Sequence, residues 1–162
     1  MKIRNYLWIL YIVGGILIII SIMTPTTYND ETATPYFVWM TQIGVDVEPV
    51  AIFLLRTDLT LVIISTLLAL AIFSSSLIAI TLTITYNRAS LNYKKLRWKM
   101  IVIAGIVIAA TIWWIVMMEL FYNEHGYNHW STTGGGYKPS FGVIGPFIGA
   151  ALIVLGAFSR RE

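Results

Sequence analysis

The chain has 162 residues, of which 57% are hydrophobic and 12% charged, with a mean hydropathy of +0.76 and a formal net charge of +3. A soluble domain carries about twice that share of charged residues, so this composition excludes water as the main solvent. There is no cysteine, which excludes a disulfide framework and a thiolate metal site.

The first apolar run covers residues 6–23, about 27 Å as a helix and enough to cross a hydrocarbon core. Lys2 and Arg4 precede it in the manner of a signal peptide. The run is longer than a signal-peptide core, however, and no small-residue cleavage site precedes Pro25, so it reads as a retained helix. Residues 24–57 form a first connecting loop. Within it, Tyr36, Phe37, Val38, Trp39 and Met40 have strand propensity, Gly44 lies near a turn, and Val45-Asp46-Val47-Glu48 alternates apolar and acidic residues. That pattern predicts a small β-hairpin with an aromatic face. Residues 50–55 are apolar but short, and suit an interfacial turn, a third strand or an early start of the next helix.

The second helix is predicted over 59–86, with Thr57 or Asp58 as its N-cap. A basic connector, 87–99, precedes a third helix over 100–121. A second loop, 122–140, contains three Tyr, a Trp, two His and Gly134-Gly135-Gly136. Those glycines lack the flanking strand and the Lys-Ser/Thr of a phosphate loop. The fourth helix is predicted over 141–158, with Pro146 in its first turns, where a missing N–H is tolerated. The fold class is thus an all-α membrane protein, a single four-helix transmembrane domain spanning 1–162 with a small extracellular hairpin and aromatic cap.

Nine of the eleven basic residues fall at the two chain ends and in the 87–99 connector, while Arg56 and Lys138 fall on the opposite side with seven of the eight acidic residues. The resulting charges are +8 and −5. Because Lys and Arg near helix ends resist translocation, both termini are expected in the cytoplasm of a cell-membrane protein, with the two longer loops outside. This distribution accounts for the net charge without a nucleic-acid partner.

Candidate functional residues are few. Glu124, His125 and His129 lie close enough in sequence to suggest copper or zinc, since imidazole suits both metals. Gly126 interrupts the helix and no third histidine exists, so we expect no resident cofactor and read these as interfacial polar residues. Glu119 is the one ionisable group inside a predicted span. An ion pair with Arg56 near the helix ends accounts for it better than a transport site does. Tyr36, Phe37, Trp39, Tyr127 and Trp130 are the candidates for an interaction surface. Gly142, Gly145, Gly149 and Gly156 form one stripe on the fourth helix, where a neighbouring backbone can approach closely, either within the chain or from a second copy.

The layout resembles the claudin and peripheral-myelin-protein group: four helices, cytoplasmic termini, a longer first outer loop with Trp39 in its aromatic core, and a shorter second one. The group's Gly-Leu-Trp motif and paired cysteines are missing, so its disulfide-pinned loop is not carried over. Three function classes follow. The first is a structural protein that self-associates or binds a partner through its outer loops. The second is an accessory subunit of a larger membrane complex, such as a redox enzyme. The third is an oligomeric channel or lipid-binding protein. No catalytic residues are assigned, and membrane lipids are expected partners in every case.

Overall fold

The computed structural model describes residues 8–29, 34–36, 41–42, 52–53, 59–88, 93–124 and 138–159. Four helices, α1 (Trp8–Met23), α2 (Leu59–Arg88), α3 (Tyr93–Glu124) and α4 (Phe141–Ser159), form a bundle in which each packs on the next and α4 closes against α1. Within them, stretches of 25, 27 and 18 residues in α2, α3 and α4 are apolar and long enough to cross a membrane. The protein is therefore a multi-pass membrane protein. α1 is equally apolar over 16 residues.

The faces of the helices separate cleanly. On α3, Leu96, Met100, Ile103, Val107, Ala110, Trp114 and Met118 are buried, and on α2 Ser65, Ala69, Ile72, Ser76, Ala79 and Thr83 are buried, with Ser75 beside Ser76. Spacings of three and four repeat along both helices, the period that keeps one seam toward neighbours crossing at a shallow angle. The opposite faces carry Ile, Leu, Val and Trp in the open, as in Leu67, Leu70, Val102 and Trp113. Such faces would be a liability in water and match lipid tails.

Four hydroxyls inside the bundle bond to carbonyls of their own helices, whereas the buried Ser65 Oγ has no hydrogen-bond partner among the described residues. Ser21 Oγ donates to the Ile18 carbonyl at 2.6 Å, Ser76 to Phe73 at 2.7 Å, Thr83 to Ala79 at 2.7 Å and Thr111 to Val107 at 2.8 Å.

The closest helix pair is α1 with α4, and glycine makes it so. A Cβ added at Gly14 would sit 2.5 Å from the Gly149 carbonyl oxygen, and one at Gly149 would sit 2.6 Å from the Gly14 carbonyl oxygen. Gly145 faces Ser21 and Gly156 faces Tyr11 along the same seam. The stripe on the fourth helix thus packs inside the chain. Gly15, one residue and about 100° further round α1, meets Ile80 of α2.

One expectation needs correction, and a second falls mostly outside the described residues. The connector predicted over 87–99 is mostly helical, since α2 runs to Arg88 and α3 begins at Tyr93 rather than at residue 100. Leu96 and Met100, four apart and both buried, draw the basic segment into helix despite its charge. The hairpin expected from 36–40 and 45–48 around Gly44 is not seen as such, because 37–40 and 43–50 lie outside the described residues. The strands that are described fall elsewhere: β1 (Thr27–Asn29), β2 (Thr34–Tyr36), β3 (Thr41–Gln42), β4 (Ile52–Phe53) and β5 (Lys138–Pro139). They form one antiparallel sheet in the order β4-β3-β2-β1-β5. Of the three readings of 50–55, the strand holds for Ile52 and Phe53.

Replacing Gly149 by alanine is expected to lower stability by about 1–3 kcal/mol, the usual cost of overpacking, because the new methyl meets backbone that cannot yield. Alanine at Gly105, where a Cβ meets nothing within 4 Å, is expected to be neutral or stabilising by up to about 1 kcal/mol. Denaturation midpoints of the two purified variants in detergent check both.

Candidate functional site at the sheet end of the bundle

The sheet is tied to the bundle by main-chain bonds. As α1 ends, Thr24 N donates to the Ser21 carbonyl at 3.2 Å and its hydroxyl to the same oxygen at 2.9 Å, turning the chain toward α4. Ser140 N donates to the Thr26 carbonyl at 2.7 Å and Gly142 N to the Pro25 carbonyl at 2.9 Å. The second bond satisfies one of the N–H groups that a helix start leaves without an intrahelical partner. The Ser140 carbonyl accepts from Val143 N and Ile144 N at 3.0 and 3.2 Å, which makes Ser140 the N-cap residue of α4. Gly142 is obligatory here, since an added Cβ would lie 2.6–2.7 Å from the Pro25 and Thr24 carbonyl oxygens.

Register continues the clamp into the sheet: Thr27 pairs with Pro139 and Tyr28 with Lys138, while on the other edge of β1 Thr27 pairs with Tyr36 and Asn29 with Thr34. Beneath it, Ile22, Thr26, Ile72, Thr111, Trp114, Gly142, Val143 and Pro146 surround a cavity of about 10 Å³, the least that holds one water molecule.

The candidate residues distribute unevenly. Tyr36 lies in β2, in register with Thr27 and Gln42. Phe37, Trp39, Arg56, His125, Tyr127, His129 and Trp130 lie outside the described residues, and Glu124 is the last residue of α3. The Arg56–Glu119 pair therefore has only one member described. Glu119 Oε2 is buried and accepts no hydrogen bond among the described residues. Also among the described residues, no three His, Cys, Asp or Glu side chains come together as a metal site.

The sequence reading missed the clamp of Pro25, Thr26, Ser140 and Gly142. A signal existed in part, because Ser140 directly precedes an apolar run and is a favoured N-cap. Compared with protein-family models, curated proteins and solved structures, the chain matches none.

Valine at Gly142 is expected to break the Gly142–Pro25 bond and loosen the sheet while leaving the four helices formed. Limited proteolysis of 24–58 should then accelerate several-fold relative to wild type, with an unchanged helical circular-dichroism signal.

Proposed function

We propose that the chain is a non-enzymatic, four-crossing membrane protein that presents its sheet and the adjoining loops to a protein partner. The observation that carries this reading is the clamp. Main-chain bonds and a glycine with no room for a side chain hold an outer sheet rigidly on the bundle, and a rigid platform lowers the entropy lost when a partner docks. Tyr36 belongs to that platform, and Phe37, Trp39, Tyr127 and Trp130 are the aromatic residues proposed to make the contact.

α1 serves as the fourth crossing. Its 16 described residues extend about 24 Å, and it runs along α4 from Tyr11 beside Gly156 to Ser21 beside Gly145. With both termini cytoplasmic, as the basic residues favour, the sheet faces outward.

The interior supports a structural role over conduction. Large side chains such as Tyr11, Trp114 and Met118 are buried within the bundle, and the hydroxyls of Ser21, Ser76, Thr83 and Thr111 bond to their own helices. The glycine stripe of α4, once a candidate for self-association, is occupied by α1. That shifts weight from helix-mediated assembly toward the outer cap, and fits either a free-standing partner-binding protein or an accessory subunit.

The complex extracted from its native membrane in mild detergent is expected to contain at least one foreign chain, lost when Trp39 and Trp130 are both replaced by alanine. Intact mass and identification of each co-purifying chain read this directly. A lone monomer from native membrane would defeat the proposal. Single cysteines placed at residues 91 and 131 in this cysteine-free chain should label from opposite sides of sealed vesicles, 131 from outside.

A further inference from the structure

On α3, Lys95, Trp98 and Lys99 are exposed at positions i, i+3 and i+4, which places them on one face. Trp98 is 64% exposed. The face continues along the helix as Val102, Ile106 and Trp113, all open to the surroundings. It thus begins in cations and an amphipathic ring and continues in hydrocarbon, the profile of a phospholipid seen from its phosphate downward.

Helix stability does not explain these cations. They occupy the N-terminal turns of α3, where the helix dipole is positive and lysine is unfavourable, and no acidic residue shares the first turn. Nor does orientation require an ordered face, since cations on a flexible loop direct topology equally well. Here the segment is held firmly. Leu96 and Met100 are buried on the opposite side, the Arg97 guanidinium stacks on Phe158 of α4 at 4.8 Å, and the Lys99 ammonium lies 5.5 Å from the Tyr86 ring of α2. Arg97 is half-buried against α4, whereas Lys95 and Lys99 are exposed next to Trp98, and contact with one ring face leaves N–H donors of the Lys99 ammonium for an anion. Further down the same face, Gly105 has nothing within 4 Å of an added Cβ. Each of the other six described glycines has a close neighbour that accounts for it.

We propose that this face of α3 binds an anionic phospholipid, its phosphate at Lys95 and Lys99 beside the Trp98 ring, and an acyl chain along Val102, Gly105 and Ile106. The inference rests only on the protein's being a membrane protein and is independent of the partner role of the sheet at the other end.

Native mass spectrometry of the purified full chain, given equal amounts of phosphatidylglycerol and phosphatidylcholine with identical tails, tests it. We expect phosphatidylglycerol to be retained in about fivefold to thirtyfold excess, on the scale of one or two interfacial lysines, and the excess to shrink at 0.5 M salt as the charges are screened. Lys95→Gln with Lys99→Gln should abolish the preference, Lys138→Gln at the far end should keep it, and Gly105→Leu should reduce retention of the anionic lipid. Equal retention of the two lipids by wild type would overturn the proposal, as would a double variant that keeps the preference. Displacement by glycerol phosphate at matching concentration would also overturn it, because the site would then read a free phosphate. Lipid-free dimers disrupted by Gly105→Leu would assign the face to a second copy instead.

Discussion

Lipid tails are as apolar as leucine, so helices in a membrane gain little by hiding apolar surface from one another and associate through close packing instead. In this protein the contact that provides it is the mutual approach of Gly14 and Gly149. Each backbone carbonyl occupies the space where the other residue's side chain would begin. Because α1 and α4 are first and last in the bundle, this seam converts a row of four helices into a closed ring. Gly15 extends the logic, since two adjacent glycines let α1 press on α4 with one face and on α2 with another.

The sheet depends on the same seam. β1 follows α1 directly and β5 directly precedes α4, so bringing those helices together places Thr26 beside Ser140 and leaves their main chains within hydrogen-bonding distance. Strands of two or three residues have little stability of their own. Here β1 starts from a fixed point, and β2, β3 and β4 add outward from it. Packing in the membrane therefore sets the geometry of the surface outside the core, and the platform proposed to meet a partner inherits its rigidity from glycines in the seam below.

What was legible in the sequence divides along the same physical line. The apolar runs marked the helices to within two residues for α2 and α4, because hydrocarbon imposes an unambiguous length and composition. The stripe at Gly142, Gly145, Gly149 and Gly156 was visible as a close-packing surface, yet its partner was not, since one helix carries no record of which backbone approaches it. The start of α3 was misplaced because charge was read as loop. Lys94, Lys95, Arg97 and Lys99 are good helix formers, and the Leu96–Met100 spacing was the better guide. The strands were least legible. Thr27–Asn29 and Lys138–Pro139 are too short for a period-2 pattern, and their pairing comes from the helices they adjoin rather than from their own side chains.

The two ends of the bundle solve opposite problems with the same helices. At the sheet end, backbone groups released by the ends of α1 and α4 find each other, so the Pro25 carbonyl and Gly142 N–H need no water or side chain to satisfy them. At the other end, α2 and α3 extend beyond their apolar spans and meet the surroundings with cations held over aromatic rings. A ring that Lys99 covers on α2 and a ring that Arg97 covers on α4 brace the start of α3 from both sides. Both surfaces are built by neighbouring helices acting on short polar segments, and both take their shape from contacts that the apolar core makes first.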